Sequence, residues 1–313
     1  MDVNTSRITN HALYTDARDG LTQTPKGLSP KWFYDARGSE IFEEITQVPE
    51  YYPGRTERAV IETHLPRIAA HVPDGAALVE LGSGASVKTR LLLDGLTQLS
   101  GYVPIDISEQ FLHETAADLA VDYPSLDVAP VVADFMQQVT LPDLGGHPVV
   151  GFFPGSTIGN LDPEAAVALL SRLGDWPDHA ALILGVDLVK APDTLVAAYD
   201  DAQGVTARFN LNLLTRLNRE ADAEFDLDTF RHKAVWNAAD SRIEMHLESL
   251  RDQNVRLGDQ VVSFAAGETI HTENSHKYTV EGLSQMAARA GWQVAEVLTD
   301  DEALFSVTIL TRA

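Results

Sequence analysis

AALVELGSGASVKTRLLLDG, residues 76–95, decides the fold. Its first half reads as a buried strand, apolar except for Glu80, as expected for a strand covered on both faces. The strand runs into a glycine turn, Gly82-Ser83-Gly84, and then a helix. The unit recurs outward from there. GYVPIDIS (101–108) is a strand and SEQFLHETAADLAVDY (108–123) its helix; VAPVVADF (128–135) is a third strand. PVVGFFPGSTIGNL (148–161) is a fourth, followed by a helix that Asp162 caps with Pro163 at its first position, and ALILGVDLV (181–189) is a fifth. Strands alternating with amphipathic helices predict an α/β domain with a parallel sheet covered on both faces.

The alternation stops after Lys190. Residues 191–232 read as helical, with Leu195, Tyr199, Phe209, Leu213, Leu214 and Leu217 at helical intervals. SRIEMHLESL (241–250) alternates strictly, placing Ile243, Met245 and Leu247 on one face of a strand, and GETIHTENSHKY (267–278) reads as another. The α/β pattern then resumes with a helix over 279–292 and two closing strands, WQVAEVLTD and ALFSVTIL. The segment 191–277 is therefore an insertion, expected to join the N-terminal residues. Before the sheet, Ser29-Pro30, Ser39 and Thr56 are predicted to start three short helices. This region holds Trp32, Tyr34, Tyr51 and Tyr52, a density of aromatics that serves either core packing or the lining of a pocket.

The chain carries 46 Asp+Glu against 23 Lys+Arg, a net charge of −23, which argues against a nucleic-acid partner or an anionic membrane surface. It has no cysteine, which removes disulfides, thiol catalysis and Cys-ligated metals. The first twenty residues are polar, no apolar run is long enough to span a bilayer, and a cytoplasmic monomer is expected. His232, His246, His271 and His276 lack H-x-x-x-H or H-x-x-E-H spacing and are read as surface or packing residues, so no metal is expected. Gly155-Ser156-Thr157-Ile158-Gly159 is not a nucleophile elbow, because its serine stands one place early.

Glu80-Leu81-Gly82-Ser83-Gly84 lets the backbone turn tightly and approach a ligand. A dinucleotide fingerprint would need a third glycine where Val87 stands. An acidic residue just before G-x-G resembles instead the first motif of class I S-adenosylmethionine methyltransferases. Asp106 ends the second strand, where a carboxylate accepts hydrogen bonds from ribose hydroxyls, and Asp134-Phe135 ends the third, where adenine is met. All three lie at strand carboxyl ends, where open α/β sheets bind ligands.

KWFYDARGSEIFEEI, PEYYPGRTE, VELGSGASVKTR, FFPGSTIGN, YDDAQGVTARFN, RIEMHL and TENSHKY together resemble the histidine-specific Nα-methyltransferases of ergothioneine biosynthesis, from about residue 25 to the C-terminus. The wider family includes the methyltransferase module of ovothiol synthases. The resemblance implies a class I (Rossmann-like) methyltransferase sheet (57–190 and 278–313) with an α+β substrate-binding domain built from 1–56 and 191–277. It implies S-adenosyl-L-methionine as cofactor, held by Gly82, Lys88, Asp106, Asp134 and Phe135. L-Histidine would be the substrate, with Tyr51, Gly155, Asn160 and Tyr199 on its amino and carboxylate ends. Glu273 and Ser275 would read the imidazole, and Tyr34 and Met245 would line the pocket. The implied reaction is three methyl transfers to the α-amine, with Tyr34 or Asn160 passing the proton to solvent.

These residue types suit that chemistry. Glu273 and Ser275 are two apart in a predicted strand, so they share a face, and a carboxylate plus a hydroxyl satisfies both imidazole nitrogens. Tyrosine ring faces attract a quaternary ammonium. Without the resemblance, Glu273 and Ser275 also read as a solvated strand face, Asn160 as a helix cap and Lys88 as a solvated lysine. The remaining alternatives are the same fold methylating another amino acid or amine, a nicotinamide dehydrogenase, and a non-catalytic binding protein.

Overall fold

The computed structural model describes residues 8–84 and 87–313. Ala85 and Ser86 of the glycine motif, and the first seven residues of the polar N-terminal stretch, lie outside the described residues, as does the side chain of Val87. The chain divides into two compact units. The insertion unit combines residues through Tyr52 with Lys190–Ser275; the sheet unit comprises Pro53–Val189 and His276–Ala313.

The insertion unit begins with α1 (His11–Leu21), β1 (Lys26–Gly27), a 3-10 turn Pro30–Phe33 and α2 (Ala36–Gln47). The sheet unit follows with α3 (Pro53–Ala69), β2 (Ala77–Leu81), α4 (Val87–Gly95), β3 (Gly101–Asp106), α5 (Glu109–Asp122), β4 (Asp127–Val128), β5 (Val131–Val132), β6 (Val149–Phe153), α6 (Pro163–Gly174) and β7 (His179–Asp187). The insertion then supplies α7 (Pro192–Tyr199), α8 (Val205–Glu220), β8 (Phe230–Asn237), β9 (Arg242–Ser249), β10 (Gln253–Leu257), β11 (Gln260–Phe264) and β12 (Thr269–His276). The sheet unit closes with α9 (Val280–Arg289), β13 (Trp292–Thr299) and β14 (Phe305–Arg312).

The large sheet has the order β13-β14-β7-β6-β2-β3-β4, with β5 also pairing β3. β2, β3, β6 and β7 run parallel, whereas β14 is antiparallel to both β7 and β13. Two apolar cores sandwich it, as uninterrupted apolar strands require. One takes Val60, Ile61 and Ile68 from α3 and Leu92 from α4. The other takes Leu169, Leu170 and Leu173 from α6 and Leu283 and Met286 from α9. In the insertion unit a second sheet, β1-β12-β9-β8, stands with the hairpin β10-β11. Its core joins Phe33, Phe209, Leu213, Leu217, Met245, Leu247 and Ile270. Among the described residues no helix is long and apolar enough to cross a membrane.

The structure corrects several local expectations. Asp35, not Ser39, caps α2: its carboxylate accepts from Gly38 N at 2.7 Å, and an anion at a helix N-terminus gains from the dipole as well. Helix α3 starts at Pro53 rather than after Thr56, because proline suits the first helical position. The expected third strand is broken into β4 and β5 around Pro130, which has no N–H to donate, so Asp134 and Phe135 follow that strand rather than end it. Residues 230–232, read as the end of the helical segment, instead begin strand β8, which pairs with β9 from Phe230↔Ser249 to Asn237↔Arg242.

The unit boundaries are displaced from 56/57, 190/191 and 277/278 to 52/53, 189/190 and 275/276. At the return crossing the physical reason is plain. Tyr278 N donates to Asp187 O, Val189 N donates to Tyr278 O, and Lys277 Nζ lies 2.8 Å from Asp187 Oδ2 with both side chains sealed from water. A buried pair that loses one partner strands the other charge. Lys277→Met is therefore expected to cost about 3–5 kcal/mol, whereas the double variant Lys277→Met/Asp187→Leu costs clearly less. Urea unfolding of both variants checks this.

Candidate active site

In the sheet unit the glycine turn follows β2 directly. Gly82 and Gly84 have φ of +66° and +46°, a region L side chains rarely adopt. Among the described residues, a Cβ placed on Gly82 would meet the Phe135 ring, 3.6 Å away. Phe135 is fixed by edge contact with Phe153, ring centroids 5.5 Å apart. Asp106 lies across the turn: its Oδ2 is 3.4 Å from Gly84 N and its Oδ1 accepts from Ser108 N at 2.9 Å. Asp134 Oδ1 likewise accepts from Met136 N at 2.9 Å. A carboxylate has about four lone-pair sites, so both acids keep capacity for hydroxyl or amine donors. Ile107, next to Asp106, is 69% exposed. A left-handed glycine turn, two oriented carboxylates that accept hydrogen bonds and apolar surface beside them fit an adenosyl group.

Lys88 is not simply solvated. Its Nζ lies 2.5 Å from Oε2 of Glu57, a fully buried carboxylate on α3. Gly155 N donates to both oxygens of Glu57, at 2.9 and 3.0 Å. Gly185 makes room for this carboxylate, since a Cβ there would come within 2.0 Å of Glu57 Oε1. Thus Lys88 and Gly155 meet through Glu57, the last residue of the PEYYPGRTE segment, to which the sequence reading assigns no role. Glu80 is buried as well, and Oε2 accepts from Thr89 Oγ1 (2.7 Å) and Tyr102 OH (2.6 Å). Burial, with the neighbouring Glu57 charge adding, raises its pKa to about 7 against the pull of Tyr102, Thr89 and Lys88. Asn160 ends the 3-10 turn after β6.

In the insertion unit Tyr34, Tyr51, Tyr199 and Ser275 are brought together by packing. Tyr34 sets its ring edge-on to Phe42 and Phe209, and Phe42 meets Tyr51 in the same way. Tyr51 in turn contacts Tyr199 at 6.4 Å, and the Tyr199 hydroxyl is 2.7 Å from Ser275 Oγ. Tyr34 is half exposed by area, yet the density of protein around its phenol, then the charge of Glu273, then Tyr199, raise its pKa well above the ordinary value. Glu273 and Ser275 both belong to β12. Met245 is buried in the apolar core. A further residue enters unannounced by motif: His232 contacts the Tyr199 carbonyl through Nε2 (2.7 Å) and the Asn210 amide through Nδ1 (2.9 Å). A carbonyl only accepts, so Nε2 carries the proton, and burial lowers the His232 pKa. His246 and His271, read as packing residues, stack on one another beside Glu244. Spacing along the chain could not reveal this, since β9 and β12 each bring part.

The sheet with its antiparallel last strand and the glycine-turn site after β2 define a class I S-adenosylmethionine-dependent methyltransferase. Residues 13–312 match the family described as "Histidine-specific methyltransferase, SAM-dependent", and the chain belongs to that family. It is 44% identical to the histidine N-alpha-methyltransferase of Mycolicibacterium smegmatis, over 96% of this chain and 95% of that protein. It is 42% identical to the histidine N-alpha-methyltransferase of Mycobacterium tuberculosis, with 96% and 95% covered. Ergothioneine biosynthesis protein 1 of Neurospora crassa is 28% identical over 89% of this chain and 32% of its own length.

Two outcomes follow from the buried carboxylates. The folded pKa of Glu80, about 7, stands above the ordinary 4.5, so the folded state holds the proton more tightly. Its contribution to stability is complete below about 4.5 and is lost as pH rises through about 7. The unfolding free energy of the wild type, measured against Glu80→Gln, is therefore expected to fall across that window; a flat difference contradicts it. Glu57→Gln keeps the volume but removes the charge facing Lys88, and is expected to cost about 1–3 kcal/mol in denaturant unfolding.

Proposed function

We propose that the chain transfers three methyl groups in succession from S-adenosylmethionine to the α-amine of L-histidine, giving Nα,Nα,Nα-trimethyl-L-histidine for ergothioneine biosynthesis. One observation carries this reading: nearly end-to-end identity of 44% and 42% with two proteins named histidine N-alpha-methyltransferase.

S-Adenosylmethionine, when bound, supplies an electrophilic sulfonium methyl group. In the proposed site Gly82, Asp106, Asp134 and Phe135 hold its adenosyl part, with Ile107 offering apolar surface to the base, while Lys88, already neutralised by Glu57, faces its carboxylate. Tyr51, Tyr199, Asn160 and Gly155 hold the amino-acid end of histidine. Glu273 and Ser275 read the imidazole, the hydroxyl of Ser275 being oriented by Tyr199. Orientation is the main contribution of such a site. The raised pKa of Tyr34 disfavours its phenolate as a base. Tyr34 instead acts as a neutral hydroxyl that relays a proton to water, and the amine reacts once it has lost its own.

The purified chain incubated with S-adenosylmethionine and an equimolar mixture of amino acids is expected to yield mono-, di- and trimethylated histidine, resolved by mass spectrometry. Methylation of another amino acid in preference overturns the substrate, and accumulation of an incompletely methylated end product overturns the third transfer. Glu273→Ala is expected to raise KM for histidine by roughly 10- to 100-fold, the loss of a hydrogen bond to a charged group, with S-adenosylmethionine affinity little changed. An equal loss of both contradicts the ring-reading role.

A further inference from the structure

The stacked histidines of the insertion unit carry an inference outside the methyl-transfer chemistry. Glu244 and His246 stand two apart on β9, so their side chains leave one side of the strand. Their neighbours Ile243, Met245 and Leu247 are buried on the other. His271 comes from β12 and stacks on His246, with ring centroids 4.9 Å apart and planes 25° apart. One oxygen and two nitrogens, one from each residue, lie within 4.8 Å of one another. Atoms bound to one ion at about 2.1 Å are at most about 4.2 Å apart, so the present spacing is close to what a single ion requires.

The hydrogen bonds around the three residues are those of oriented ligands. Glu244 Oε1 is held by Arg242 Nε (2.8 Å) and Asn237 Nδ2 (2.9 Å), which turns Oε2 toward His246 Nε2 at 3.1 Å. His271 Nε2 donates to the Glu273 carbonyl at 3.0 Å, which leaves the lone pair on Nδ1. Backbone carbonyls in that position are the usual orienters of ligating imidazoles.

We propose that Glu244, His246 and His271 bind a borderline divalent transition-metal ion of the zinc type, with a coordination position left to water. Two imidazoles and a carboxylate suit zinc, cobalt or nickel, while magnesium and calcium prefer all-oxygen sets. Arg242 at Oε1 and Lys233, paired across the strands with His246, oppose a dication. Loading is therefore expected to follow metal concentration rather than to be permanent. The ion would sit one hydrogen bond from the backbone of Glu273.

The test uses the full chain, stripped with chelator and free of histidine, which itself binds metals. Zn2+ titration by calorimetry is expected to show one saturable equivalent, and Co2+ to develop the visible absorption of nitrogen-oxygen coordination. Glu244→Gln and His271→Gln are each expected to weaken Zn2+ at least tenfold, whereas His113→Ala, on the exposed face of α5, leaves it unchanged. Zn2+ raises the thermal midpoint of the wild type and not of the two variants. Should a variant fold poorly, protection of His246 and His271 from diethyl pyrocarbonate by Zn2+ in the wild type, mapped by mass spectrometry, decides the matter. No saturable binding, binding untouched by both variants, or no protection overturns the proposal.

Discussion

Asp187 and Lys277 form an ion pair from which water is shut out, with side chains 1% and 0% exposed. Asp187 ends β7 and Lys277 follows β12, so the whole inserted segment leaves and returns at this point. An isolated charge at such depth is prohibitive, so neither stretch can be buried there without the other. Around the pair, Leu188 and Tyr278 bridge in parallel, and the amide of Asp187 donates to Ser156 Oγ. Gly159 packs so close to the returning strand that a Cβ would stand 2.7 Å from the His276 carbonyl. The G-S-T-I-G-N loop is thus shaped by the returning strand, and Asn160 takes its place at the end of that loop.

The other buried charges of the sheet unit follow the same logic. Glu57 is neutralised by Lys88 and by the amide of Gly155. Glu80 is held by two hydroxyl donors, and burial raises its pKa to about 7 against their pull and that of the Lys88 charge. A net charge of −23 says little about this. The acids that shape the site are few and hidden, and their partners are chosen one by one.

What was legible in the sequence was what depends on local periodicity. The apolar strands through Leu81, Ile105, Phe153 and Asp187, the alternation of Ile243, Met245 and Leu247, and the helix over 280–289 all stand where the pattern puts them. Errors came where a partner distant in sequence decides. Residues 230–237 lack clean alternation and become a strand because β9 offers a complete ladder. The hairpin β10-β11 escaped notice between stronger signals. Asp35 outcompeted Ser39 as a cap because Arg219 and Asn212, far along the chain, also hold its carboxylate. Among the candidate site residues, family resemblance supplies the positions, but it assigns no role to Glu57, which ends PEYYPGRTE, or to His232. Their roles exist only through contacts with Lys88 and Gly155 in one case and the Tyr199 carbonyl in the other.

The proposed chemistry gives a purpose to the hydroxyls and rings that gather near Tyr199. An α-amine loses a hydrogen-bond donor with every methyl group it gains, so a site built on donors to be satisfied would leave more of its acceptors unpaired at each step. Tyrosine hydroxyls can accept or donate, and their rings attract an alkylated ammonium as well as they pack against apolar atoms. Tyr34, Tyr51 and Tyr199, linked edge to face with one another and with Phe42 and Phe209, present such hydroxyls and rings in the insertion unit. A strong base is unnecessary on this reading, since each intermediate amine can shed its proton to water before the next transfer. The series then stops by itself: the trimethylammonium has no lone pair left to attack.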